Sequence, residues 1–249
     1  MLTALACTIA LAQTANFTQK IPDSLAEFRM VKVPDGKIMM DGKVVPIKGL
    51  YVAETEITWD VFDIWAFRLD QTAEQQAAGV DASSRPSKPY GAPDRGFGHA
   101  GYPALGMTRL AAEEFCRWLS AKTKRTYRLP TRAEWQYAAL GGATEAPANL
   151  AEVAWTWDNA EDKTHAAKSL KPNGFGLYDM LGNVGEWVTT DDGKLLIAGG
   201  HFLSRKPAVG FDAVLEQTPK WNENDPQNPK SKWWLANAPF VGFRVVFVE

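Results

Sequence analysis

Apolar and polar residues alternate over 28–33 (FRMVKV), the period-two pattern of a strand with one buried face. The turn dipeptides Asp35-Gly36 and Asp41-Gly42 bracket 37–40 and predict a hairpin. A short apolar run at 50–52 leads through Glu54, Thr55 and Glu56 to Thr58. Thr58 suits the N-cap of a helix over 59–69 whose apolar positions are Val61, Ile64, Trp65 and Phe67. The stretch 81–102 is rich in Gly, Pro and Ser and predicts an irregular loop. Thr108 opens a second helix to about residue 122. There Ala112, Phe115, Cys116 and Leu119 stand at i, i+3, i+4 and i+7 and share one buried face, which makes Cys116 a small core hydrophobe rather than a reactive thiol. Thr131, followed three residues later by Glu134, is a capping box. Gly141-Gly142 ends that helix, and Trp135, Ala138 and Ala139 line its inner face. Beyond it the chain is mostly irregular, with strands predicted at 186–190 and 194–198 around Asp192-Gly193 and a last strand over 242–248. Helices cluster in the first half, short strands lie at both ends, and no repeat recurs. The fold class is α+β with long loops.

Composition narrows the function. With 249 residues and 45% hydrophobic content, the chain can bury a full core without staples. Its 27 basic and 29 acidic side chains nearly cancel, which argues against nucleic acid as a partner. The two Cys and three His stand at Cys7, His99, Cys116, His165 and His201, without the spacing of a zinc site.

The first twelve residues, MLTALACTIALA, form an apolar run ending in a small-x-small pattern. They read as a signal-like segment without a basic n-region, followed by a linker over 13–27 and a domain over 28–249. The alternative is the buried start of a strand or helix. Export to the periplasm or the extracellular space is the expectation. A membrane enters only if Cys7 is lipidated as in a lipoprotein box.

Three segments carry a resemblance: 115–142 (FCRWLSAKTKRTYRLPTRAEWQYAALGG), 172–188 (PNGFGLYDMLGNVGEWV), and Gly199-Gly200 followed by 242–246 (GFRVV). In this order and spacing they resemble the formylglycine-generating enzyme family, also called the sulfatase-modifying factor family. Glu54-Thr55-Glu56-Ile57-Thr58 matches the approach to that family's first helix. The resemblance implies an atypical C-type-lectin-like α+β fold. It also implies calcium held by Asn183, Val184, Gly185 and Glu186, whose oxygens suit a hard cation. The alternative is that Asn183 and Glu186 satisfy buried groups in a turn. Asn159 and Ala160 match the start of a second calcium site, but the Asp that should follow is missing from 164–169.

The departure from the family is chemical. Its oxidase uses two cysteines and copper between the Gly-Gly motif and the final Gly-Phe-Arg, and 200–241 contains no cysteine, so a copper–thiolate pair cannot be built there. His201 replaces the usual Ser after Gly-Gly. It is either a general base or metal ligand near the family's substrate groove, or a hydrogen-bonded imidazole at a strand end. Arg205 is what remains of the basic pattern that follows. The stretch 218–239 offers Trp221, Trp233 and Trp234 as an aromatic platform for a peptide or carbohydrate, with Asn222, Asn224 and Asp225 as polar readers. The alternative is that these Trp cover the core. The expectation is therefore an exported, calcium-stabilised binding or accessory module. The alternative is a formylglycine-generating or other oxidoreductase-type enzyme using the same groove.

Overall fold

The structure is a computed structural model and describes residues 16–79, 84–89 and 91–249. The segment 1–12, with Cys7, lies outside the described residues. In chain order the elements begin with β1 (Phe17–Lys20), β2 (Glu27–Lys32), β3 (Gly36–Met40), β4 (Lys43–Ile47) and β5 (Leu50–Ala53). Helices α1 (Trp59–Ala66), α2 (Ala73–Ala78), α3 (Arg109–Thr123) and α4 (Arg132–Leu140) follow. Then come β6 (Ala154–Trp155), β7 (Leu181–Gly182), β8 (Gly185–Val188), β9 (Leu196–Ala198), β10 (Val214–Glu216), β11 (Val241–Gly242) and β12 (Val246–Val248).

One four-stranded sheet runs β1-β2-β5-β12 and the other β10-β9-β8-β11. The stretch expected as a linker contributes β1, which pairs antiparallel with β2 from Phe17↔Met30 onward. Its anchors are aromatic and buried polar. Phe17 packs edge-on against Tyr51 and Phe247, and Gln19 accepts a 2.7 Å bond from the Tyr127 hydroxyl. A polar residue at an inward position hides such a strand from period-two reading.

The helices begin and end for local reasons. Thr58 has extended N-cap geometry but makes no side-chain cap; Trp59 N–H instead donates to the Tyr102 carbonyl. α1 stops at Ala66, short of the expected 69, and Arg68 follows in the left-handed region at φ 58°. Thr108 caps α3 through Ala111 N–H. The box at α4 is complete: Thr131 Oγ accepts from Glu134 N–H and Glu134 accepts from Thr131 N–H. Arg128 then grips both Glu134 oxygens at 2.6 Å.

The last predicted strand divides. β11 runs parallel to β8, and β12 runs antiparallel to β5, so 241–248 passes from one sheet to the other. Gly242 permits the crossing, because a Cβ there would meet Val184 Cγ2 at 2.5 Å. Two buried clusters fill the interior. One gathers α1 and α3 around Trp59, Phe62, Trp65, Phe115 and Trp118; the other lies under α4 around Trp135, Ala138, Met180 and Val246.

Candidate functional site

The crossing strand places Arg244, fully buried, against Glu186 on β8, which is 1% exposed. Arg244 Nε and Nη2 donate to the two carboxylate oxygens at 2.7 and 2.6 Å, and Trp135 Nε1 adds a third bond at 2.7 Å. The guanidinium also donates to the carbonyls of Ala53 and Tyr178, each at 3.0 Å. Asn183 sits in the left-handed region at φ 48°. Its side chain accepts from His165 N–H at 3.0 Å and donates to His165 C=O at 3.3 Å. Asn159 closes its own turn, accepting from Thr156 N–H at 2.8 Å and donating to Ala154 C=O.

These residues do not fit the calcium ion that the resemblance implies at Asn183, Val184, Gly185 and Glu186, or at Asn159. A carboxylate held by a buried guanidinium already has its cation, and the two Asn amides serve the backbone. Among the described residues no cluster of three or more His, Cys, Asp and Glu is arranged to hold a metal.

Beside the pair lie two further carboxylates that sequence reasoning missed. Glu56 is 1% exposed and neither carboxylate oxygen has a hydrogen-bond partner among the described residues. Burial pushes it well above the ordinary Glu range, and the neighbouring Asp179 charge adds to this. Asp179 accepts from Lys168 N–H at 2.8 Å and is pushed up to about 6 by burial. In the sequence, Glu56 looks no different from the half-buried Glu54, whose oxygen meets Lys168 Nζ at 2.6 Å.

The proposed groove residues separate into two places. His201 and Arg205 line one cavity of about 380 Å³ together with Ser204, Ala208, Val214 and Leu215. His201 Nδ1 accepts from Leu203 N–H at 3.2 Å, so the ring proton sits on Nε2. The ring stacks on Phe240 at 4.1 Å, and burial lowers its pKa to about 4, which keeps the imidazole neutral. Arg205 is exposed and lies 4.2 Å over the ring of Trp157, itself 41% exposed.

Trp234, Asn224 and Asp225 line a second cavity of about 330 Å³, walled opposite by Pro89, Pro93 and Arg95. The three Trp of 218–239 form no exposed platform. Trp221, Trp233 and Trp234 are buried in the first core cluster, and Trp234 Nε1 donates to Ser87 C=O. The polar residues hold the loop: Asn222 accepts from Ala236 N–H, and Asp225 accepts from Gln227 and Ser231 N–H. Few strands leave large apolar side chains to fill the interior, which draws these Trp inward. Cys116 is buried on the inner face of α3, where burial pushes its thiol pKa up and removes its nucleophilic form.

A sulfatase-modifying factor enzyme 1-like domain model matches residues 17–248. The formylglycine-generating enzyme of Mycobacterium tuberculosis is 34% identical over 121 residues, 41% of this chain and 38% of that protein. The inactive C-alpha-formylglycine-generating enzyme 2 of Bos taurus is 30% identical over 112 residues, 36% of this chain and 33% of that protein. Both alignments span well under two thirds of the relative. Among solved structures, Treponema denticola variable protein 1 superposes with a TM-score of 0.68 at 20% identity, covering 94% of this chain and 99% of that one. The chain thus shares the fold of these neighbours, a mixed α+β fold with few helices, several small sheets and long loops.

Proposed function

The chain belongs to the sulfatase-modifying factor family, and from that premise we propose that it works by binding rather than by oxidising cysteine. The observation that carries this reading is the lining of the His201 cavity. The stretch after Gly199-Gly200 presents His201, Ser204, Arg205 and Ala208 there, and no sulfur. Cysteine oxidation through a copper–thiolate pair needs two soft ligands in that stretch. A neutral imidazole N–H and a stacked guanidinium are recognition groups instead. The similarity to a relative named as inactive agrees with this. Export is part of the reading and rests on the apolar segment 1–12; cell fractionation of the producing organism checks it.

The test is direct. The purified chain is incubated with copper and a peptide carrying a sulfatase-type cysteine motif, and the product is read by mass spectrometry. An unchanged cysteine is the expected result. Aldehyde on the peptide would overturn the reading.

A further inference from the structure

Among the described residues, strand β10 is the outer strand of its sheet and pairs only with β9. Its three residues are all exposed. Gly199 N–H donates to Ala213 C=O and Gln217 N–H to Leu195 C=O, which fixes the alternation of the ladder. The Ala213 carbonyl, Leu215 and the Gln217 N–H therefore face β9, Ala213 N–H turns back to Gly210 C=O, and Val214 and Glu216 turn their backbone groups outward. An outward row of free N–H and C=O groups is a template for another extended chain.

The His201 cavity opens at the start of this strand, where Ala213, Val214 and Leu215 form part of its wall. Two donors there lack an acceptor. His201 keeps its proton on Nε2, and no described residue bonds that atom; Arg205 has no carboxylate partner among the described residues and is held flat by Trp157. The wall between them is apolar, from Leu203, Ala208 and Leu215.

A chain added antiparallel to β10 ends beside Val214, with its C-terminus at the cavity mouth. We propose that this site binds the C-terminal end of an extended peptide. Its backbone pairs with Val214 and Glu216, its last side chain enters the apolar cavity, and its terminal carboxylate meets Arg205 and His201 Nε2–H. A terminal carboxylate is the acceptor that both donors lack, and an edge strand accepts an extended chain but not a compact ligand. The assignment rests on the binding reading of the same cavity and names the ligand class for it.

The probe is a fluorescein-labelled hexapeptide, Gly-Thr-Val-Thr-Val-Leu, as free acid and as C-terminal amide, read by fluorescence polarisation on the full chain. The free acid is expected to bind at least tenfold tighter than the amide. Arg205→Gln should reduce that preference to about two- to threefold. Val214→Pro should weaken the acid tenfold or more, because it deletes an outward N–H while leaving the β9 bonds in place. A thermal melt of each variant confirms folding. Equal binding of acid and amide, wild-type affinity in folded Val214→Pro, or no binding of either peptide would overturn the proposal. The aldehyde test decides the non-oxidative reading separately.

Discussion

Arg244 donates to both oxygens of Glu186 at 2.6 and 2.7 Å, with neither residue more than 1% exposed. The residues lie 58 positions apart, and their pairing joins the crossing strand to β8. Through its carbonyl contacts the same guanidinium reaches Ala53 at the end of β5 and Tyr178. Removing one partner leaves a buried charge without compensation. Arg244→Met is therefore expected to cost about 3–5 kcal/mol in urea unfolding, and the double variant with Glu186→Leu should recover part of it.

If the Arg244 guanidinium serves as the counter-charge of Glu186, added Ca²⁺ should leave the melting temperature of the wild type unchanged. A Ca²⁺-dependent rise that disappears in Glu186→Gln would restore the calcium assignment.

Glu56 and Asp179 set the acid side of the stability profile. Both native pKa values lie above the unfolded ones, so protonation favours the fold. Their contribution is complete below the unfolded carboxylate range and is lost as pH rises through the native values, about 6 for Asp179. The wild type should thus lose stability as pH rises above the unfolded carboxylate range, with the Asp179 share lost through about 6. Glu56→Gln should flatten that slope and leave the protein at least as stable at pH 7. A steeper slope in the variant, by urea titration at several pH values, contradicts the burial argument.

His201 acts in the opposite sense. Burial lowers its pKa to about 4, so its neutral form stabilises the fold fully above the ordinary His range, and this is lost as pH falls toward 4. Proton NMR should show one imidazole that does not titrate between pH 8 and 5.

His99 links the loop before α3 to α1. Its Nε2 meets Asp63 at 2.8 Å, its Nδ1 meets Asp94 at 3.1 Å, and its ring stacks on Trp59. Burial lowers the imidazole pKa, but the bonds and charges of Asp63 and Asp94 outweigh it and the net shift is upward. This stabilisation is present below the ordinary His pKa and is lost as pH rises through the native value. His99→Gln should remove that dependence and raise hydrogen exchange over 94–101, where Gly101 N–H also leans on Asp60.

The helices and turns were legible because their signals are local. Thr131 and Glu134 meet across one helical turn, Asp41-Gly42 closes the β3–β4 hairpin with both residues at positive φ, and Cys116 falls on the face that the spacing assigns it. The family was legible for the same reason, since its motifs are short runs at fixed distances. The strand at Phe17 was not legible, because only Tyr51, Tyr127 and Phe247, all distant in sequence, make it a strand. Nor were the roles of Trp221, Trp233 and Trp234. A Trp reads the same on a surface platform and in a core, and packing density decides between them.

The sequence by itself determined the α+β class, the helix caps, the family and the lack of cysteine in 200–241. Each of these depends on residue identity and near neighbours. Only the tertiary structure decided that Glu186 belongs to Arg244, that Glu56 is buried without a hydrogen-bond partner among the described residues, and that His201 and Arg205 share a cavity apart from the Trp-rich loop. The reason is electrostatic and steric: what a charged group does depends on which distant groups exclude water from it and which one answers its charge.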